Sequence, residues 1–368
     1  MAEPIVPGHD ERMRARCPAL GTVMTVMGPV PADQLGVILP HEHVLADFRV
    51  YHEPFYPELS DRRVELDMLG MLRRHPTTCL DNLLLDDQQV MSAELRLFRQ
   101  AGGATVVDLT SRGPRAPADV AALRLLAQES GLHIIAGTGL YAPAFYPESL
   151  ARETVDGLAE QFTRELEVGI EGTGIRAGIV GEIEVTDLAD SRQRLVLTAA
   201  ARAALHAGVP LAVDCPPGEG FEAVHRLLQG EGMPPAGVWL CGMDRVMVDD
   251  LRQPLHPAGV QGQRPADLGY YLLFDGFGQE FYVRGGESRT PRDFERVRWL
   301  RALVDRGHLR QLLVSQGINR KQSLARFGGW GYAHILENIV PMMSREKLPP
   351  KAITTLTMYN PARALVRL

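Results

Sequence analysis

The sequence predicts an α/β chain folded as a single (β/α)8 barrel. Two patterns carry that expectation. Short β-rich apolar runs recur eight times, and helix-length amphipathic segments separate most of them. Strands alternating with helices imply parallel βα units, and a count of eight favours closure into a barrel over an open sheet.

Taken in order, the charged stretch 1–21 has no apolar signal core and reads as a poorly ordered tail, leaving 22–368 for the barrel. Strands are expected at 36–39, 104–110, 133–141, 177–185, 210–215, 238–243, 268–276 and 312–318. Helices are expected at 87–100, 117–130, 147–168, 191–207, 221–229, 291–306 and 334–344. Gly102, Gly103, Gly131 and Gly208 fall just past helix ends, where a left-handed cap favours glycine. The segment 49–86, rich in proline and charge, is an insertion after the first strand and is expected to form a lid over the barrel mouth.

Composition narrows the function classes. A hydrophobic content of 45% with 23% charged residues is that of an ordinary globular domain, and 368 residues suffice for one large barrel. A net charge of −6, with no basic cluster interleaved with aromatics, argues against a nucleic-acid partner. No apolar run is long enough to span a membrane. Four cysteines without a CxxC spacing suggest free thiols and a cytoplasmic setting. The glycine-rich run from Gly328 to His334 is no nucleotide-binding loop, because no Lys-Ser pair follows it.

The most chemical feature is His41-Glu42-His43, at the end of the first apolar run. Side chains alternate along a strand, so the two histidines share a face while Glu42 points the other way. Two imidazoles so placed are natural ligands for one divalent metal. A barrel of this kind gathers active-site residues where strands end. Those positions hold His41, His43, Asp108, Tyr141, Glu182, Glu184, Asp214, Cys215, Gly242, Asp275, Gln316 and Gly317.

Seven ordered blocks then suggest a family. The strings GPVPADQLGVILPHEHVLADF, VVDLTSRG, GTGLYAPAFYP, AGIVGEIEVTD, FDGFG, GGWGYAHILENIVPMM and YNPARAL resemble the phosphotriesterase-related family of the amidohydrolase superfamily, from about Thr22 to the C-terminus. That resemblance implies an amidohydrolase-like TIM barrel, commonly a homodimer. It also implies two metals, usually zinc, and hydrolysis of phosphotriesters, lactones or other esters and amides. His41 and His43 match the family's first ligand pair. Glu182 matches the bridging position, which cannot be the frequent carboxylated lysine because no lysine precedes Lys321. The other three ligand positions have changed: Asp214 and Gly242 stand in place of histidines, and Gly317, preceded by Gln316, stands in place of an aspartate.

Two histidines and two carboxylates neutralise one divalent ion and can fill its tetrahedral shell. The resulting expectation is one zinc or similar ion on His41, His43, Glu182 and Asp214. Glu182 and either Asp214 or Asp275 would carry the acid–base work, with little phosphotriesterase activity. The substrate would be a small ester, lactone or amide, lined by Tyr141, Tyr146 and Gln316. Two other readings stay open. One is metal-independent acid–base chemistry by Asp214, Glu182, His41 and His43, as in an isomerase, cyclase, lyase or hydrolase; the other is a non-catalytic barrel. Cys215 and Cys241 read as structural, Asp108 and Arg112 as a salt bridge under the loops, and the remaining histidines as ordinary.

Overall fold

The computed structural model describes residues 21–216, 218–246, 263–283 and 288–366. Apart from Gly21, the expected N-terminal tail lies outside the described residues. Eight parallel strands form the barrel and are numbered β1 to β8. They are Ile38–Glu42, Thr105–Asp108, His133–Thr138, Ile179–Glu184, Leu211–Asp214, Val238–Cys241, Tyr271–Phe274 and Leu312–Val314. Each pairs with its sequence neighbour, from β1 across to β8. The ladder closes through the segment after β8: Gly317 N donates to His41 O at 3.0 Å and His43 N to Ile318 O at 3.2 Å. The first strand therefore runs further than expected and carries His41 and Glu42 within it, with an irregularity between Leu39 and Glu42.

Local chemistry sets the outer helices. Asp87, Thr154 and Asp190 each accept a backbone N–H at the starts of Gln88–Gln100, Val155–Glu167 and Ser191–Ala207. Gly131 and Gly208 close their helices in the left-handed conformation, at φ of 68° and 66°. The helix expected from 147 begins only at Val155, because the Thr154 cap restarts the chain after a short 3-10 turn at Glu148–Arg152. The helix expected at 334–344 is a π-helical stretch, Ile335–Ile339, continued as Val340–Arg345.

The lower lumen is largely apolar. Ile38, Val107, Ile135, Ile179, Ala212, Trp239, Leu273 and Leu313 pack there against Val23 and Leu35 near the N-terminus and against Ala362 and Leu365 near the C-terminus. An antiparallel hairpin that sequence patterning missed, Thr22–Thr25 with Gly28–Pro31, supplies Val23. The charged side chains that face the lumen stand at the C-terminal ends of the strands, while at the lower end Thr105 Oγ1 donates to Leu35 O at 2.6 Å. The 49–86 insertion folds around its own small cluster of Leu59, Val64, Met68, Leu72 and Cys79, and its Tyr51, His52, Glu53 and Thr77 wall the upper cleft.

Glu42, fully buried between the two histidines, has a structural task. Its carboxylate accepts from Ser315 Oγ at 2.7 Å and from the backbone N–H groups of Gln316 and Ile318, each at 2.9 Å. It therefore bolts β1 to the segment after β8. Glu42→Ala leaves these donors unpaired and is expected to lower unfolding stability by at least about 3 kcal/mol. A shift of the urea midpoint at unchanged slope measures that loss. An unshifted midpoint would remove Glu42 from the seam's energetics.

Candidate active site

A cleft of about 580 Å³ opens at the C-terminal end of the barrel and is lined by His41, His43, Tyr141, Glu182, Glu184, Asp214, Arg245, Asp275 and Arg320, among others. At its floor the two histidine rings meet edge to face, 5.1 Å apart. His41 Nδ1 lies 2.7 Å from Asp275 Oδ2, and His41 Nε2 lies 3.2 Å from Glu182 Oε2. That second nitrogen makes no aligned hydrogen bond.

His43 is oriented by a short relay. Thr110 Oγ1 donates to Asp108 Oδ1 at 2.5 Å, so its lone pairs are left to accept from His43 Nδ1 at 3.0 Å. Nδ1 of His43 thus carries the proton, and Nε2 keeps its lone pair. Burial and the neighbouring His41 push the His43 pKa down to about 3. His41 behaves oppositely. Burial pulls it down, but the carboxylates of Glu182 and Asp275 outweigh that and hold it well above the usual histidine range.

These residues fit a metal. One ligand atom each from His41, His43 and Glu182 can be taken with all three within 4.8 Å of one another. Both histidines have Nδ1 occupied by an oxygen partner, Asp275 for one and Thr110 for the other, as in histidines that ligate through Nε2. Three protein ligands with an open position are the arrangement of catalytic zinc centres. Asp275 is better described as the group that orients His41, since its Oδ2 also accepts from Gly242 N at 3.0 Å.

Several expectations need correction. Asp214 does not join the three ligands, because its Oδ2 is bonded to the guanidinium of Arg245. Gln316 is buried away from the cleft, with Nε2 donating to Gly331 O at 2.6 Å. Tyr146 likewise is not part of the cleft lining, whereas Tyr141 is, with its ring 5.7 Å from that of His43. Arg112 pairs with Glu165 at 2.6 Å, while Asp108 serves the His43 relay. Cys215 packs on the helix side as expected, but Cys241 lies in the lumen close to His41 and Asp275. Burial and the nearby Glu182 raise its thiol well above the usual range, so it stays protonated.

Gly242 and Gly317, where the resemblance implies ligand positions, both have left-handed backbone. Gly242 has φ of 64°, and a β-carbon there would overlap the guanidinium of Arg245. Gly317 has φ of 56°, and a β-carbon there would lie 2.8 Å from Asp275 O. Restoring a histidine or an aspartate at these points would therefore demand a different loop path.

Two cleft cations, Arg245 and Arg320, were missing from the sequence-based site, and Glu184 entered it only as a strand-end position with no role. Glu184 follows Glu182 by two residues and so shares its face, a signal present in the alternation itself. Burial and the nearby Asp214 and Glu182 push its carboxyl up to about 7, and Tyr51 Oη donates to it at 3.3 Å. Burial, against the pull of Arg245, raises Asp214 to about 6.

A buried His-His-Glu cluster under a polar cleft, at the C-terminal end of a (β/α)8 barrel, defines a protein of the amidohydrolase class. The model of the phosphotriesterase family matches residues 21–365. The chain belongs to that family, as a divergent member. It is 34% identical over 354 residues to an N-acetyltaurine hydrolase of Tetraodon nigroviridis, covering 93% of this chain and 97% of the relative. The human N-acetyltaurine hydrolase is 31% identical, covering 94% and 98%. Among solved structures, a resiniferatoxin-binding protein from Rhodobacter sphaeroides superposes with a TM-score of 0.87 at 32% identity, covering 94% of this chain and 95% of that one.

Proposed function

We propose that this protein is a hydrolase of small amides working at a single divalent-metal centre, held by His41, His43 and Glu182. The observation that carries the reading is the pair of imidazoles with Nδ1 engaged, one ligand atom each of His41, His43 and Glu182 lying within 4.8 Å of one another. An ion bound there supplies Lewis-acid activation of a carbonyl and of water. The relatives that span nearly the whole chain cleave the amide of N-acetyltaurine, which favours an amide over a phosphotriester.

The chain's own residues supply the rest. Asp275 and the Asp108–Thr110 pair hold the two imidazoles in their ligating tautomers. Glu184 and Asp214, raised to about 7 and about 6, stand in the cleft as proton acceptors for an attacking water and as donors to a departing amine. With Asp214 tied to Arg245, Glu184 is the freer of the two. Tyr51, from the 49–86 insertion, and Tyr141, after β3, line the cleft beside these groups. A homodimer and a cytoplasmic setting belong to the same reading, and light scattering and fractionation test them.

The decisive experiment combines elemental analysis with turnover. Protein purified without added metal is expected to carry, or to take up on titration, one zinc, manganese or cobalt per chain. It is then expected to cleave N-acetyl amines faster than lactones or phosphotriesters. Full amidase activity in exhaustively chelated protein would replace this mechanism with metal-independent acid–base chemistry. Stoichiometric metal without turnover on any amide, ester or lactone would overturn the hydrolase reading.

A further inference from the structure

Arg320 is a cation with no carboxylate partner among the described residues. It follows β8 at the start of the turn Lys321–Ser323 and lines the cleft. Its Nε is buried and has no hydrogen-bond partner. Its Nη1 donates to the neutral side chain of Asn319 at 2.9 Å, and the guanidinium lies 5.7 Å from the centre of the Phe281 ring. Among the described residues no carboxylate comes within ion-pair distance of it. Three other arginines around the barrel, Arg112, Arg245 and Arg296, each hold an aspartate or glutamate, and buried Arg115, which lies outside the cleft lining, donates to Gly137 O at 2.9 Å.

Holding a cation in a partly desolvated cleft without an anion is unfavourable, and such a group persists where a ligand completes it. The turn beneath Arg320 is rigid. Lys321 Nζ bonds Asp81 Oδ1 at 2.7 Å and Gln322 N donates to Asn82 Oδ1 at 2.9 Å, so the guanidinium is set in advance. The closed strand order places β8 across the barrel from β4, and therefore Arg320 across the mouth from the proton-handling Glu184. Arg245, whose side chain is 56% exposed, presents a second guanidinium to the same cleft while holding Asp214. Burial and the proximity of Arg245 bring Arg320 down to about 10, which leaves it charged at neutral pH.

We infer that Arg320, assisted by Arg245, seats an anionic group of the substrate, a carboxylate or a sulfonate, at the end that is not cleaved. A planar guanidinium fork suits two oxygens of either group. The inference rests on the amide-hydrolase reading for its substrate class: a short N-acyl amino acid or N-acyl amino sulfonate, and not a neutral amide. The acidic residues of the cleft would repel such an anion were it bound on their side, so these arginines also fix the direction in which the substrate lies.

The test uses the metal-loaded full chain, with N-acetyltaurine, N-acetyl-β-alanine and the neutral N-propylacetamide as substrates. Calorimetry with ethanesulfonate and with propionate reads binding apart from turnover. Both anionic amides are expected to exceed the neutral one in kcat/KM by about 30-fold or more. Arg320→Leu is expected to erase that preference, chiefly through KM, and to abolish ethanesulfonate binding. Arg320→Lys, which keeps the charge and serves should the leucine variant fail to fold, is expected to recover part of both. A sulfonate preferred over a carboxylate, or the reverse, tells which anion the seat was built for. Equal turnover of neutral and anionic amides, or an Arg320→Leu enzyme with its preference intact, overturns the inference and leaves the hydrolase reading standing. Arg320-dependent ethanesulfonate binding without turnover of any amide has the opposite meaning: the seat exists and the hydrolase reading fails.

Discussion

Glu182→Gln is expected to lower metal affinity and amide turnover together, each by at least about 100-fold. Glu182 is the carboxylate grouped with both histidines within 4.8 Å, 3.2 Å from His41 Nε2, and its side chain is only 4% exposed. The amide keeps shape and one acceptor oxygen but removes the charge that offsets a divalent ion in a buried site. Zinc titration followed by spectroscopy or calorimetry measures the affinity. A variant with wild-type affinity would move the centre elsewhere, and the only other buried grouping among the described residues is His41 with Cys241 and Asp275. The same titration carries a proton signature. Burial lowers His41, yet Glu182 and Asp275 outweigh it and raise its pKa, so before metal binds His41 is protonated at neutral pH. His43, pushed down to about 3, is already neutral. Binding must therefore expel the His41 proton. Zinc is expected to release about one proton per chain at pH 7 and to bind more tightly as pH rises towards the His41 pKa. Calorimetry in two buffers of different ionisation enthalpy reads that number directly.

The barrel was legible from the sequence because its signals are local and repeated. Strand runs such as 133–141 and 210–215 and the glycines at 131 and 208 depend on neighbours a few residues away. The floor of the site was legible for a similar reason: alternation alone puts His41 beside His43, and Glu182 beside Glu184. What sequence could not supply was pairing across the barrel. Whether Asp214 meets a metal or an arginine depends on where the chain turns after β6, and Gly242, at positive φ, opens space that Arg245 enters. Gln316 looked like a cleft residue because it follows a strand, but Gln279 Nε2 holds its carbonyl and Gly331 its side chain, which turns it inward. Asp275 was singled out as catalytic, and only its contact with His41 Nδ1 distinguishes a base from an orienting group.

Those substitutions share an electrostatic logic. The cleft's acidic side keeps Glu182, Asp214 and Asp275 close together, an arrangement that needs positive charge to be stable. His41 answers Glu182 and Asp275, and Arg245 answers Asp214. A fixed guanidinium thus supplies, at the β5–β6 side, a positive charge that cannot be lost to a chelator. Under the proposed mechanism, that charge confines the need for a metal to the His-His-Glu side.

Arg296→Met is expected to destabilise the protein by about 3–5 kcal/mol, more than any surface change would. Arg296 is buried, with a side chain 1% exposed, and its Nε bonds Asp244 Oδ2 at 2.7 Å. Its Nη1 lies 3.1 Å from Asp293 Oδ1, and its Nη2 donates to Gln279 O at 3.2 Å. Asp293 in turn bonds His334 Nε2 at 2.7 Å, and Asp244 accepts from Asp275 N at 3.3 Å. One guanidinium thus ties the loops after β6 and β7 to the helix Asp293–Asp305. Methionine fills much of the same volume, so the loss comes from stranding carboxylates without their partner, and not from a cavity. The pH dependence separates these causes. Burial tends to raise Asp293, but its bond to His334 and the charge of Arg296 hold it below the usual aspartate range. A depressed folded pKa gives stability that is present above the unfolded value and lost as pH falls through the folded one. In Arg296→Met part of that contribution is gone at neutral pH, and protonation relieves the stranded charge. The stability gap between wild type and variant is therefore expected to be widest near pH 7 and to narrow below about pH 4, as read from urea midpoints at each pH. A gap that stays constant with pH would assign the loss to packing. Because Asp244 immediately precedes Arg245, and its carboxylate holds the backbone of Asp275, a folded variant is also expected to lose affinity for metal. Stability and site geometry meet in this one buried cation.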